Sequence, residues 1–176
     1  MQNIIKKAKN IKLIIFDVDG VLTDGSLYVT HSGEEIKAFN SLDGHGMKML
    51  QKTGVIIAVI TGRTSSIVTH RMKELGIEHV YQGARHKYPA FVELLEKLSI
   101  TPEQTAYVGD DVVDLPVMNH VGLSIAVQDA HEFVVKHADW QTKTCGGKGA
   151  AREVCELIMD AQGNLQTELE SYLNKQ

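Results

Sequence analysis

Apolar residues fall along this chain in two patterns, short unbroken runs and longer segments with helical spacing. Ile11, Leu13, Ile14, Ile15 and Phe16 form the first run, rich in β-branched residues and suited to a strand buried on both faces of a parallel sheet. Residues 55–60, 76–81, 105–108 and 123–127 repeat that signature, and 139–142 read as a short edge strand. Between the runs the period changes. Met47 and Leu50, following Asp43-Gly44-His45-Gly46, predict a short helix that Gly54 stops. Ile67, Val68, Met72 and Leu75 share one helical side, and Phe91, Leu94, Leu95 and Leu98 follow i, i+3, i+4, i+7. Asp114 is placed to cap a helix with Pro116 in its first turn. Residues 130–137 predict another helix, and Gly146-Gly147-Lys148-Gly149 precede one carrying Ala150, Val154, Leu157 and Ile158.

Two segments depart from this alternation. Residues 26–30 and 35–39 both favour strand, and the turn His31-Ser32-Gly33-Glu34 between them makes a β-hairpin insertion over about residues 25–40. A two-stranded hairpin is marginal alone, so Leu27, Val29, Ile36 and Phe39 need a surface to cover, on this subunit or on a neighbour. Residues 163–176 carry Leu165, Leu169, Tyr172 and Leu173 among polar neighbours and form a candidate mobile tail. The whole predicts one α/β domain spanning residues 1–176. Its architecture is a Rossmann-like, three-layer, doubly wound parallel sheet with the hairpin inserted after the first strand.

Composition narrows the partners. A hydrophobic share of 43% and a charged share of 23% suit an ordinary globular chain. Eighteen basic against twenty-two acidic residues, without a basic stripe, give no reason to expect nucleic acid. No segment predicts a signal peptide or a membrane span. Cys145 and Cys155 match neither a disulfide framework nor a zinc spacing, so a cytoplasmic setting is expected.

The chemistry lies at the carboxyl ends of the runs, where open α/β sheets bind ligands. The first strand delivers Asp17 and Asp19, then Gly20; the second delivers Thr61, Gly62 and Arg63; the fourth delivers Asp110, Asp111 and Asp114. Several carboxylates in one crevice repel unless a cation joins them, and an oxygen-only ligand set favours Mg²⁺. With a hydroxyl at Thr61 and a cation at Lys87, such a crevice can neutralise a phosphoryl group during transfer. A carboxylate beside Mg²⁺ can attack phosphorus, and Asp17, nearest the strand end, is the expected nucleophile. Asp19 is the expected acid and base. Taken singly, Thr61 reads as a strand-end hydroxyl, Lys87 as a solvated helix start and Asp114 as a helix cap; their joint order argues for a site.

IIFDVDGVLTD, VITGR, Lys87 near a helix start and VGDDVVD resemble, in order, the four motifs of the haloacid dehalogenase superfamily of phosphatases. The resemblance implies Asp17 as nucleophile, Asp19 as acid/base, Thr61 as phosphate-binding hydroxyl and Lys87 as the cation. It implies metal ligation by Asp17, by the main-chain carbonyl of Asp19 and by Asp110, and it leaves Asp111 and Asp114 as either outer-shell or direct ligands.

DGVLTDG with its hairpin, YQGARHK, AYVGDDVVDLPVM and GGKGAAREVC further resemble the capless 3-deoxy-D-manno-octulosonate 8-phosphate phosphatases of lipopolysaccharide synthesis. That implies a Mg²⁺-dependent homotetramer acting on a sugar-acid phosphate, with a nine-carbon sugar-acid phosphate as the alternative substrate. The sugar's carboxylate calls for donors, and Arg63, Arg85, Lys148 and the glycine-rich helix start at 146–149 are the candidates. Hairpin and tail are expected to reach a neighbouring subunit's site. A receiver-like signalling module is the reading from another class, but receivers carry the phosphoacceptor after the third strand and have no counterpart of Asp19.

Overall fold

The computed structural model describes residues 1–173; positions 174–176 of the expected tail lie outside the described residues. In chain order the elements are α1 (Gln2–Lys9), β1 (Leu13–Phe16), β2 (Tyr28–Val29), β3 (Glu35–Ile36), α2 (Ser41–Lys52), β4 (Ile56–Ile60), α3 (Ser66–Leu75) and β5 (His79–Tyr81). Next come α4 (Lys87–Leu98), a 3₁₀ turn (Pro102–Gln104), β6 (Thr105–Gly109), α5 (Leu115–Met118), β7 (Leu123–Ala126), α6 (Glu132–His137), β8 (Trp140–Gln141), α7 (Ala150–Ala161) and α8 (Leu165–Glu170).

Six strands form one parallel sheet in the order β5-β4-β1-β6-β7-β8. The alternating side chains of each strand enter two cores, as a pleated strand requires. Ile14 and Phe16 join Met47, Met72, Val154 and Ile158 under α2, α3 and α7. Leu13 and Ile15 join Phe91, Leu94, Val117 and Val134 under α4, α5 and α6. Every side chain of β1 is buried, which explains why its run carries no polar residue until Asp17. This is the expected three-layer architecture.

Strand order sets the site. The chain steps outward from β1 to β4 and β5, then returns to lay β6 against the other side of β1. The β1/β6 boundary is therefore the topological switch point, where the loops after neighbouring strands diverge and leave a crevice. Phe16 is in register with Val108, so Asp17 and Asp110 emerge side by side.

Several elements differ from the sequence expectation. Helix α1 precedes the first apolar run and buries Ile4 and Ala8. Helix α2 starts at Ser41, ahead of the glycines, because the Asn40 side chain accepts from the Leu42 N–H at 2.8 Å. Gly44 and Gly46 lie inside that helix because α3 and α7 pack close: a Cβ would meet Arg71 at 2.4 Å or Arg152 at 2.6 Å. The hairpin exists, but β2 and β3 pair over two residues each. In the expected tail, α8 is held by Lys52, whose ammonium reaches Glu168 Oε2 at 3.1 Å and the Tyr172 hydroxyl at 3.0 Å.

Candidate active site

A cleft of about 470 Å³ opens over the carboxyl ends of β1, β4 and β6. Asp17, Asp19, Thr61 and Lys87 line it, with Asp110 and Asp111 from the loop after β6 and Arg63 and Arg85 at its rim. The structure thus brings together eight of the expected site residues from four separate stretches of chain.

Lys87, the first residue of α4, is buried and bridges two carboxylates, Asp17 Oδ2 at 2.9 Å and Asp114 Oδ1 at 2.6 Å. Burial alone would pull its ammonium pKa down, but Asp17 and Asp114 outweigh that and hold it above the ordinary lysine range. Carboxylate oxygens of Asp17, Asp110 and Asp114 all lie within 4.8 Å of one another. One ammonium cannot balance three carboxylates. Accordingly, burial, then Asp114, pushes Asp17 up to about 6 against the pull of Lys87. Burial, then Asp114 and Asp17, pushes Asp110 up to about 8.

The donor set fits a hard divalent cation. Asp17 Oδ1 and Asp110 Oδ1 are buried and have no hydrogen-bond partner, an arrangement that costs free energy unless a cation satisfies both. Asp114 is different. Its Oδ1 accepts from Lys87 and from the Tyr107 hydroxyl at 2.7 Å, and its Oδ2 accepts from the Asp110 and Asp111 N–H groups at 3.0 and 3.2 Å. Four donors leave it no room to act as a helix cap, and it makes no capping bond to α5, contrary to the sequence expectation. It holds Lys87 and the loop in place. Asp111 accepts from the Val112 N–H at 2.7 Å at the exposed rim.

Asp19 faces a second charge cluster. Its Oδ1 pairs with Lys37 of the hairpin, and Arg63 Nε stands 3.8 Å from its Oδ2. Glu35 completes the set, 3.2 Å from Lys37 Nζ and 2.8 Å from Arg63 Nη2. Arg85 forms no ion pair among the described residues and remains an available cation in the cleft.

Lys148 and the glycine-rich segment stand apart from this group. Lys148 is not in the cleft lining; it is largely exposed and lies 3.5 Å from Asp24 Oδ2. The start of α7, expected to offer N–H groups to a substrate carboxylate, is taken up internally, because buried Asp43 accepts from the Arg152 N–H at 2.9 Å. The glycines there serve packing. A Cβ on Gly146 would stand 1.7 Å from the Gly20 carbonyl oxygen, so this segment braces the loop after β1.

Sequence reasoning missed Lys37, Glu35, Tyr107 and Asp43. Tyr107 carried a signal, since a hydroxyl in the middle of a fully buried strand needs a partner. Glu35 and Lys37, two apart, necessarily share a side of β3 and its extension, but no local pattern says that this side folds back onto Asp19.

A family model for haloacid dehalogenase-like hydrolases matches residues 79–154. The chain is 53% identical over 163 residues to the 3-deoxy-D-manno-octulosonate 8-phosphate phosphatase KdsC of Escherichia coli K12, covering 93% of this chain and 87% of that protein. Among solved structures it superposes on a probable YrbI family phosphatase from Pseudomonas syringae with a TM-score of 0.98, at 52% identity and full coverage of both chains. It superposes on the 3-deoxy-D-manno-octulosonate 8-phosphate phosphatase of Moraxella catarrhalis, solved with magnesium, phosphate and KDO, with a TM-score of 0.96. Identity there is 44%, covering 98% of this chain and 99% of that one.

Proposed function

The chain belongs to the 3-deoxy-D-manno-octulosonate 8-phosphate phosphatases of the haloacid dehalogenase-like hydrolases, and from that premise we infer that it hydrolyses this phosphate ester to the free sugar acid and phosphate. The observation that carries the reading is the pair of buried, unpartnered oxygens on Asp17 and Asp110 beside Lys87. Asp17, Asp110 and the main-chain carbonyl of Asp19 would hold Mg²⁺, which supplies charge neutralisation to the phosphoryl oxygens.

The chain's own residues divide the remaining work. Asp17 attacks phosphorus; the Asp17 O–P bond forms as the bond from phosphorus to the sugar oxygen breaks, and Asp19 gives that oxygen its proton. Asp19 then takes a proton from water as the water oxygen attacks the aspartyl-phosphate, releasing phosphate and restoring Asp17. Lys87, fixed by Asp114, stays at Asp17 throughout and offsets charge on the transferring group. Thr61, buried at the end of β4, presents its hydroxyl to the phosphate. Arg85 and Arg63 are the cations for the sugar's carboxylate; Lys148, 3.5 Å from Asp24 Oδ2, is outside the cleft lining of its own subunit.

The assembly is read as a homo-oligomer, a tetramer by family resemblance, supported by the exposure of Leu27, Tyr28, Val29 and Ile36 on the hairpin. Cys145 and Cys155 are free thiols, in keeping with a cytoplasmic enzyme. No helix among the described residues is long and apolar enough to cross a membrane.

The test is phosphate release from a panel of eight- and nine-carbon sugar-acid phosphates with and without Mg²⁺. Activity that requires Mg²⁺, prefers the eight-carbon ester and disappears in Asp17→Asn supports the reading. Preference for a nine-carbon ester overturns the substrate, and wild-type turnover by Asp17→Asn overturns the nucleophile.

A further inference from the structure

We infer that Lys37 of the hairpin is a positioning residue for Asp19, and that Glu35 positions Lys37 in turn; this rests on the acid/base role given to Asp19 above. The four charges form a closed ring. Lys37 pairs with Asp19 Oδ1 and lies 3.2 Å from Glu35, Glu35 takes Arg63 at 2.8 Å, and Arg63 returns to Asp19 Oδ2 at 3.8 Å. Both oxygens of the Asp19 carboxylate are therefore faced by cations from different parts of the chain, one from the hairpin and one from the loop after β4.

The placement of Lys37 separates it from a substrate-binding lysine. Its side chain is 1% exposed, so its ammonium is not displayed to the cleft, and both of its partners are carboxylates of this chain. Arg63 by contrast is 50% exposed and stays available to a ligand. Glu35 sits between the two cations and keeps Lys37 from swinging out with Arg63. Ile36, between Glu35 and Lys37, points the other way and is exposed. One edge of the hairpin thus serves the site of its own chain, while its apolar side is left for a neighbour.

An acid that must deliver a proton to one particular oxygen works only when its carboxyl is held in line, and a displacement of about 1 Å can cost about 100-fold in rate. Asp19 lies on an irregular segment after β1, where no strand ladder fixes its side chain. The Lys37 contact supplies that constraint. The effect belongs to the step in which the alcohol leaves. An ester of a primary alcohol needs the proton, whereas 4-nitrophenyl phosphate has a leaving group that departs without one.

The experiment measures, by rapid quench in the presence of Mg²⁺, the rate of alcohol release from 3-deoxy-D-manno-octulosonate 8-phosphate and of nitrophenolate release from 4-nitrophenyl phosphate. Lys37→Met is expected to slow the first by about 10- to 100-fold and the second by less than about 3-fold, with Lys37→Arg recovering most of the loss. Asp19→Asn should show the same discrimination, more strongly. Where Lys37→Met melts early, Lys37→Arg and Glu35→Gln decide: a smaller loss confined to the sugar phosphate supports the inference. Equal slowing of both substrates by the Lys37 variants, or of neither, overturns it while Asp19→Asn still discriminates. Failure of Asp19→Asn to discriminate overturns the role of Asp19 itself and the inference with it.

Discussion

Gly20 lies directly beneath the carboxylate of Asp110: a Cβ at Gly20 would stand 2.1 Å from Asp110 Oδ2. Gly20 also has φ of +87°, a conformation that favours glycine. One residue therefore satisfies two demands, the sharp turn after Asp19 and the close approach of the loop after β6. Gly20→Ala is expected to lose about 1–2 kcal/mol from the backbone conformation alone. Displacement of Asp110 should add a loss of Mg²⁺ affinity. Thermal melting and a Mg²⁺ titration of the variant check both; an alanine variant with unchanged metal affinity would show that Asp110 does not depend on this contact.

The second expectation concerns pH and metal together. Asp110 is pushed from an ordinary 3.8 up to about 8 by burial and its neighbours Asp114 and Asp17. A raised carboxyl pKa means that the folded chain holds the proton more tightly than the unfolded chain. The stability this provides is full below pH 3.8 and is lost as pH rises through about 8. Asp17 acts in the same direction over a lower window, ending at about 6. The metal-free protein should therefore lose stability between about pH 4 and about pH 8, with both carboxyls contributing up to about pH 6 and Asp110 alone above it. Mg²⁺ must displace that proton, so the rise in melting temperature on adding Mg²⁺ should grow across the same interval. An equal rise at both ends would remove Asp110 from the ligand set.

Tyr107 gives a third expectation. It is fully buried, and its hydroxyl donates to Asp114 Oδ1 at 2.7 Å. Burial, then the charges of Asp114 and Asp17, holds its own pKa well above the tyrosine range, so it remains a donor. Tyr107→Phe removes a hydrogen bond to a charged group, worth about 1.5–3 kcal/mol, and loosens the carboxylate that fixes Lys87. The expected result is a lower melting temperature and a reduced kcat with KM little changed. A fall in stability with no change in kcat would confine Tyr107 to the core.

The parts of this molecule visible in its sequence are those with local causes. A strand buried on both faces must be an unbroken apolar run, so β1, β4, β6 and β7 stand out, and the charged residues that follow them mark the cleft. Asp17, Asp110 and Lys87 were legible because each sits at an element's end. Of the two readings of Asp114, helix cap and outer-shell or direct metal-site acid, the cap is the one that fails, because its carboxylate is taken by Lys87 from α4, Tyr107 from β6 and the Asp110 and Asp111 N–H groups. Lys37 and Asp43 were not legible at all. Each acts across a long stretch of chain, on Asp19 and on the Arg152 N–H respectively, and a hydrophobic pattern carries no information about which polar groups meet at that separation. The glycines inside helix α2 were misleading for a similar reason: they answer to Arg71 and Arg152, not to a turn, while the helix itself starts at the local Asn40 cap.

The last expectation concerns the hairpin's other side. Tyr28 stands opposite Ile36 in the β2/β3 pair, and the two are 52% and 58% exposed. Cross-strand apolar pairs of this kind stabilise a sheet when something covers them, and among the described residues nothing does. Val29, opposite Glu35, and Leu27, in the cleft lining, alternate with Tyr28 along the strand and are 62% and 52% exposed. Covering the Tyr28 and Ile36 pair against another copy of the chain would bury the apolar area and anchor the hairpin, whose Lys37 meets Asp19 and whose Glu35 meets Arg63 on the other edge. Light scattering should then report an oligomer, and the double variant Tyr28→Glu, Ile36→Glu should shift it toward smaller species, because two charges would have to be desolvated in the interface. The sheet core does not include these residues, so far-ultraviolet circular dichroism should stay that of a folded α/β chain. Activity should fall with the dissociation, since a hairpin left uncovered holds Lys37 less firmly against Asp19. A variant that dissociates yet keeps full kcat would separate the interface from the site, and one that keeps the wild-type mass would show that the oligomer is built on another face.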